Sequence, residues 1–555
     1  MNEPARPAGT PAVPGESRSA FRPAAVHPVS LADLAAATGV ALGVPAGETT
    51  VTGITLNSRA VEPGDLYVAL QGASRHGADF VAQAAGRGAH AVLTDEAGAR
   101  ILALDETIQL PVLVAPDPRE LVGRLAARIY GGPADGAAGS GRGNNSSLKL
   151  FAVTGTNGKT TTTYFVNSLL RALGQRPGLI GTIEILAGGE AIPSLLTTPE
   201  SPDVHALLAL MRERGLDSAS MEVSSHALAF HRVDGVMFDV AGFTNLTQDH
   251  LDLHGTLEDY FQTKAELFTP ARTRAAVVTV DDDWGRQLAA QTAVPVLTLA
   301  TGPGTGQAAA DWTVSAQRPK GLGSEFTLTG RDGTELTVHC GLPGGFNVSN
   351  AALATVMVLA SGVAAGDVQR ALDVHDPFMV AVPGRMQLVA TRPAAVVDFA
   401  HNPDALARAL EAVRPPTPEA KLIVVFGATG QRDQGKRPGM GAIAAAGADV
   451  VIVTDDDPHD EDAAAIRADV LAGAIKARDE GNLDCTILDI FPRAEAIERA
   501  VALAGPLDTI LVAGRGHEVW QEVKGVNLPL DDRVELRAAL TARGFNVLQD
   551  ERIES

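Results

Sequence analysis

Two cysteines, Cys340 and Cys485, are all that 555 residues contain. That excludes a disulfide framework and makes a reducing cytosol the natural setting. Basic residues also fall short, with 45 Lys+Arg against 66 Asp+Glu and a formal charge of −21. Nucleic-acid binders need Lys and Arg density to neutralise phosphates, so the balance argues against that class. It leaves room for a local basic pocket that takes an anionic small molecule. Long apolar runs are missing too. The most apolar window, Ala351 to Gly366, is interrupted by Thr355, Ser361 and Gly362 and is too short to span a bilayer. Residues 1–26 are rich in Pro, Ala, Gly and Ser and lack the apolar core of a signal peptide, so they are expected to form a disordered tail. A cytoplasmic, soluble protein is expected, with no membrane span and no nucleic-acid partner.

What is present fits a globular chain: 45% apolar and 20% charged residues. At roughly 150 residues per domain the length allows about three or four domains. Short apolar runs such as 65–70 and 89–93 mark a first block, residues 27–133. Residues 134–147, rich in Gly, Asn and Ser and without apolar periodicity, read as a flexible linker. A second block, 148–382, opens on the apolar run Leu148 to Val153. A glycine turn follows, then the helical pattern of Tyr164, Phe165, Leu169, Leu170 and Leu173. Further buried-strand runs alternate with helical stretches, which predicts a doubly wound, mainly parallel sheet. Residues 312–340 alternate instead, and Arg331-Asp332-Gly333 supplies a turn, so a small antiparallel element is expected there. A third block, 383–555, repeats the α/β pattern with runs at 394–399, 422–426, 450–453, 485–490 and 509–512. Its functional residues should cluster beyond the carboxyl ends of its strands.

The strongest local signal is Val153-Thr154-Gly155-Thr156-Asn157-Gly158-Lys159-Thr160-Thr161, between a strand and a helix. Glycines let backbone wrap close to phosphate, amides at the helix start bind anionic oxygens, and Lys159 adds a charge. Thr160 suits magnesium ligation. Val153 stands where the strict Walker pattern has a further glycine, so the loop is a shortened variant. Elsewhere, His250 and His254 are four residues apart, a spacing compatible with zinc. No third ligand is evident, and Asp249 and Asp252 beside them are hard oxygen donors.

The segment Thr154 to Thr161 resembles the ATP loop of the Mur ligase family, and the resemblance extends over almost the whole chain beyond the tail. Similar to successive family signatures are Leu196-Thr197-Thr198-Pro199, Met221 to His226, Phe243 to Asp252, Gly345 to Asn350 and Val397 to His401. Phe426-Gly427, Arg432-Asp433 and Gly514 to Glu518 point within the family to the type that adds the third residue of the peptidoglycan stem peptide. The resemblance implies an α/β, three-domain architecture with a central P-loop ATPase domain and a Rossmann-like C-terminal domain. It implies a first domain that binds the uridine nucleotide. The implied reaction uses ATP and Mg2+ to phosphorylate the D-glutamate side chain of UDP-N-acetylmuramoyl-L-Ala-D-Glu. The α-amine of an amino acid then attacks the acyl phosphate and forms an amide. Domain closure over substrates and a monomeric state are also expected.

The family's functional residues map onto this chain as follows. Gly155, Thr156, Asn157, Gly158, Lys159, Thr160, Thr161, Asn350, Arg385, Asp398 and His401 are expected at ATP. Thr160, Glu222, His254 and Lys264 are expected around the metal, and Lys159, Glu222, His254 and Lys264 are the catalytic candidates. Lys264 matches the family's carbamylated lysine, in which carbon dioxide turns the amine into a metal-binding carboxylate. From the residues alone it reads as an ordinary solvated helix lysine. Leu56, Ser58, Ala73, Ser74, Arg75, Thr197, Thr198, Ser224 and Arg232 are expected on the uridine-nucleotide dipeptide. Asn57 stands where the family usually has Asp, and Phe230 where it often has Gln.

For the incoming amino acid, Arg432 matches an arginine that clamps the α-carboxylate, and a guanidinium fork suits that planar anion. The selectivity motif is Asp456-Asp457-Pro458-His459, with Gly514 and Glu518 completing the pocket. Diaminopimelate ligases usually carry Asn at the second position and Arg at the fourth. His459 cannot form the same fork, and Asp457 should repel a distal carboxylate and attract a terminal ammonium. The expectation is therefore a diamine amino acid, L-lysine first, with L-ornithine or meso-diaminopimelate as alternatives. A folate polyglutamate ligase shares the ATP loop but not the Glu-Val-Ser-Ser-His run. A non-catalytic nucleotide-binding scaffold is disfavoured by the presence of Lys159, Glu222, Lys264 and Asp398.

Overall fold

Aliphatic runs bounded by glycine turns form the central strands, and their burial on both faces explains their continuous hydrophobicity. The computed structural model describes residues 21–42, 48–72, 74–105, 107–131, 148–189, 191–302, 310–431 and 433–548. Most of the expected tail (residues 1–20) and the expected linker lie outside the described residues. The strand Lys149–Thr154 is buried from its second residue onward. It runs parallel between Ser218–Glu222 and Val240–Phe243 at the middle of an 11-stranded sheet. The carboxyl ends of these three strands therefore open side by side.

Residues 312–340 are antiparallel, as their alternation predicts, but they are not a separate element. Leu299 and Ala300 pair in parallel with Trp312 and Thr313, which joins the three strands Trp312–Lys320, Gly323–Gly330 and Glu335–Cys340 to the main sheet. Val314, Phe326, Leu328 and Val338 share one core with the helix Gly345–Ala360. That helix contains most of the apolar window noted above. It packs against both the sheet and the helix Lys159–Ala172, so almost every side is buried and no polar face is required. No helix among the described residues is long and apolar enough to cross a membrane.

The first unit is a five-stranded sheet, parallel from Gly53–Thr55 through Val112–Val114 and closed by the antiparallel pair Ala41–Leu42. Residues 21–26, expected in the tail, are instead anchored. Arg22 makes two bonds of 2.7 Å to the buried carboxylate of Asp65, and the amides of Ala24 and Ala25 donate to Glu213. A buried carboxylate needs a counter-charge, and Arg22 supplies it.

The third unit is a six-stranded sheet in which Thr509–Ala513 lies between Ala394–Asp398 and Leu422–Phe426. Arg493, fully buried, holds two of its strand ends together. Its guanidinium donates to both oxygens of Asp532 at 2.8 and 2.7 Å, to Ala513 O at 2.8 Å and to Asp455 O at 3.1 Å. A hairpin unanticipated from the sequence, Trp520–Val523 with Val526–Pro529, projects after these strands. Removing one member of a buried ion pair strands the other. Asp532→Ala should therefore lower the unfolding free energy by about 3–5 kcal/mol, read as a reduced urea midpoint.

Candidate active site

The loop after Lys149–Thr154 is built around two positive φ angles, +142° at Gly155 and +89° at Gly158. A Cβ would lie 1.9 Å from Thr244 Oγ1 at the first and 2.4 Å from Asn350 Oδ1 at the second. Only glycine fits either position. Lys159 Nζ folds over this loop and donates to the carbonyls of Gly155 and Thr156 at 3.1 and 2.9 Å.

Glu222 ends its strand beside the loop and is buried, although an isolated strand-end glutamate would usually be solvated. Its Oε2 accepts from Thr160 Oγ1 at 2.8 Å and from Thr182 Oγ1 at 3.0 Å, while Oε1 accepts from the Thr182 amide at 2.7 Å. Arg385 Nη2 donates to Thr160 Oγ1 at 3.3 Å, and the Arg385 guanidinium stacks on Phe399 at 4.2 Å. Lys264, read from the residues alone as solvated, is instead only 1% exposed. Its Nζ donates to Gly155 O at 2.8 Å and sits 4.5 Å from the Tyr260 ring centroid.

Three basic side chains thus share one buried volume. Burial lowers the pKa of Lys159, and Arg385 adds to this; burial lowers that of Arg385 as well. Burial and then Lys159 hold Lys264 well below the usual lysine range, which favours its neutral amine. Arg385 Nε has no partner among the described residues. Such a cluster is suited to a polyanion that would supply the missing charge. His254 Nε2 is likewise buried without a partner. Its ring centroid is 5.0 Å from that of Tyr260.

A cavity of about 230 Å³ opens at the seam between the middle and third units. Asn157, Gly158, Thr161, Asn350, Arg385, Asp398 and His401, all expected at the nucleotide, line it. Asp398 accepts from the amides of Met386 and Ala400 at 2.7 and 2.9 Å, and burial raises its pKa against the pull of Arg385. His401 Nδ1 donates to Phe399 O at 2.9 Å, leaving Nε2 3.8 Å from Asp249 Oδ2. Asn157 reaches across the seam, donating to Asp404 at 3.1 Å and accepting from Asn402 at 3.3 Å.

Thr197, Thr198, Ser224 and Arg232 gather on the other side of Glu222. Thr198 Oγ1 donates to Glu222 O at 2.8 Å and accepts from the Ser224 amide at 3.2 Å, and Arg232 Nη1 donates to Thr198 O at 3.3 Å. Glu200 pairs with both Arg232 at 2.9 Å and Arg119 of the first unit at 3.2 Å. The first-unit candidates keep local partners instead. Ser58 donates to Gln83 at 2.8 Å, Arg75 pairs with Asp79 at 3.2 Å, and Leu56 packs on its own core. Ser74 is exposed, and Ala73 lies outside the described residues.

In the third unit, Asp456, Asp457 and Glu518 bring carboxylate oxygens within 4.8 Å of one another. Asp457 does not present a free charge, contrary to the expectation from sequence. The fully buried Arg515 bonds its carboxylate and also lies 3.7 Å from Glu518. An enclosed guanidinium must be neutralised, and Asp457 does so. Asp456 is 4% exposed, and its Oδ2 has no hydrogen-bond partner among the described residues. Burial opposes its ionisation, but Arg515 and Arg493 outweigh it and keep the carboxyl below its ordinary range. A Cβ at Gly514 would meet that oxygen at 2.6 Å, so glycine leaves it access. His459 Nδ1 pairs with Glu522 at 3.1 Å rather than standing free. Arg432 lies outside the described residues.

Residues missed in the sequence are Thr182, Glu200, Arg515, Asn402 and Asp404. Gly181-Thr182 directly follows an apolar strand run, and Arg515 lies inside a quoted motif, so both carried a local signal. Burial, and then the negative charge of Asp456, push the Glu518 carboxyl up to about 8. A raised carboxyl pKa means the folded state holds a proton that the unfolded chain releases. The stability due to this proton is full near pH 4.5 and is lost as pH rises toward 8. Between pH 5 and 8, wild type should lose on the order of 1–2 kcal/mol more stability than Glu518→Gln, by urea unfolding at both pH values.

Comparison with known proteins places this geometry. Residues 50–130 match the model described as Mur ligase family, catalytic domain; 153–358 match Mur ligase middle domain; and 384–516 match Mur ligase, glutamate ligase domain. A Streptomyces coelicolor protein named UDP-N-acetylmuramoyl-L-alanyl-D-glutamate--2,6-diaminopimelate ligase is 47% identical, covering 94% of this chain and 98% of its own length. A Leifsonia xyli subsp. xyli protein named UDP-N-acetylmuramyl-tripeptide synthetase is 43% identical over 96% of this chain and 99% of its own. A solved structure titled as a UDP-N-acetylmuramoyl-L-alanyl-D-glutamate--2,6-diaminopimelate ligase superposes with a TM-score of 0.60 at 29% identity. It covers 94% of this chain and 100% of that one. With relatives this similar along nearly its full length, the chain belongs to the Mur ligase family and, within it, to the MurE type of ATP-dependent peptidoglycan-precursor ligase.

Proposed function

We propose that this enzyme joins the α-amine of meso-diaminopimelate to the D-glutamate side chain of UDP-N-acetylmuramoyl-L-Ala-D-Glu in the cytoplasm. The observation that carries this choice over lysine is the name borne by two relatives 47% and 46% identical, each covering 94% of the chain, which specifies 2,6-diaminopimelate. The pocket chemistry supports it. The sequence argument for lysine rested on His459 in place of an arginine and on a free Asp457; the second ground falls, because Arg515 occupies that carboxylate. The distal end of diaminopimelate carries both an ammonium and a carboxylate. Asp456 Oδ2 can accept from the ammonium, and Arg515 Nε, which has no partner among the described residues, keeps one N–H for the carboxylate. The unpartnered Asp456 Oδ2 also favours a second reading, a simple diamine such as lysine or ornithine, because it suits a terminal ammonium by itself.

Lys159 and Arg385 orient and neutralise the transferring phosphoryl group, and the glycine loop holds the remaining phosphates. The Thr160 hydroxyl and the Glu222 carboxylate are hard oxygen donors that fit Mg2+, with carbamylated Lys264 as a further oxygen ligand and His254 beside them. When bound, the ion supplies positive charge to phosphate oxygens as the P–O bond to ADP breaks. The D-glutamate carboxylate takes the phosphoryl group, the amine then attacks the carbonyl carbon, and phosphate leaves as the amine sheds a proton. Thr197, Thr198, Ser224 and Arg232 position the dipeptide. Ser58 and Arg75, which hold Gln83 and Asp79, are the first-unit groups that this reading assigns to the uridine nucleotide.

Two outcomes are expected. In a panel of meso-diaminopimelate, L-lysine and L-ornithine, diaminopimelate should give the highest kcat/KM. Preference for lysine would establish the second reading. Lys264→Ala should lose activity by at least about a hundredfold, and a short carboxylic acid added to the buffer should restore part of it. Full activity of the alanine variant would exclude the carbamate.

A further inference from the structure

Glu222 accepts from Thr160, which in turn accepts from the third unit's Arg385. Both Glu222 oxygens are also bound by a residue that no motif singled out. Thr182 donates its amide to Glu222 Oε1 at 2.7 Å and its hydroxyl to Oε2 at 3.0 Å. The same hydroxyl lies 3.2 Å from Thr197 Oγ1 as donor, so Glu222 and Thr197 are alternative acceptors for its one proton, and Glu222 is the nearer. Thr182 thus touches both Glu222 and Thr197, while Thr160 donates to the same Glu222 Oε2 and itself accepts from Arg385. The main chain around Thr182 is itself fixed. Gly181 leaves no room for a side chain, since a Cβ would lie 2.6 Å from Glu222 Oε1. The Gly181 amide donates to Glu184 O at 3.2 Å, and Tyr164 Oη donates to the Glu184 carboxylate at 2.7 Å.

We propose that Thr182 is a positioning residue that locks the Glu222 carboxylate in its metal-facing orientation and couples it to Thr197 on the dipeptide side. This deepens the ligase reading and rests on it for the roles of Glu222 and Thr197. Its physical basis is the two-point grip: both carboxylate oxygens are bound by one residue, which fixes rotation about the carboxyl bond. Partners that orient a metal-binding carboxylate without touching the ion carry a large share of site affinity.

Thr182→Val keeps shape and removes the hydroxyl, Thr182→Ala removes both, and Thr182→Ser keeps the hydroxyl. Mn2+ binding to the full chain is measured by electron paramagnetic resonance with a non-hydrolysable ATP analogue present. Kinetic constants and thermal midpoints are measured alongside. Val and Ala should weaken Mn2+ binding and lower kcat by about 10–100-fold, with KM for the amino acid unchanged, and Ser should stay within about twofold of wild type. Unchanged Mn2+ affinity in both Val and Ala, or a Ser variant as weak as Val, overturns the proposal. The Mn2+ measurement needs no turnover, so a wild-type chain that fails to ligate would remove the ligase reading and leave this test standing.

Discussion

Three basic side chains are buried together here around one backbone turn. Lys159, Lys264 and Arg385 converge on the loop at Gly155, and burial lowers the pKa of each. Glu222, Asp249 and Asp398 face them from fixed positions. The fold sustains this arrangement because the loop follows the middle strand of a large sheet, where packing on both faces resists relaxation. Charged groups held in place by a rigid core are the kind of preorganised polar environment that the proposed phosphoryl transfer needs. It also explains why Lys264 is held toward the neutral amine, the form that can react with carbon dioxide.

The site belongs to the seams as much as to the units. Glu200 holds Arg119 of the first unit and Arg232 of the second at once. Arg385 reaches from the third unit to Thr160. The selectivity segment is similarly supported from elsewhere. Arg493 holds the carbonyl of Asp455, Gln521 donates to the carbonyl of Asp456, and the Glu522 amide donates to Asp457 at 3.1 Å. The hairpin that starts at Trp520 therefore shapes a pocket whose named residues lie some sixty positions earlier.

The fold was legible where one physical signal dominated. Runs such as 148–153 and 422–426 had to be buried strands, and the alternation of 312–340 had to be antiparallel. The joining of those strands to the main sheet was not legible, because it depends on a short parallel contact at Leu299 and Ala300. The glycine loop between strand and helix could be read because its glycine spacing sets the backbone turn. Burial of Lys264 and Glu222 could not, since a charged residue's own letter says solvent. Asp457 shows the same limit from the other side. Its negative charge was evident, but the guanidinium that consumes it lies 58 residues away. Charge pairing of that range is a property of the packed chain.

Asn157 occupies the phosphate loop, yet its side chain is held by Asn402 and Asp404, 245 and 247 residues further along. The loop is thus assembled from two parts of the polypeptide rather than carried complete by one. A third unit taken from another ligase would bring its own strand ends but could leave this asparagine without its two supports. Exchange of third units between such enzymes is constrained at this point, and a transplant that ignores residues 402 and 404 alters the glycine loop along with the carboxylate cluster of the third unit.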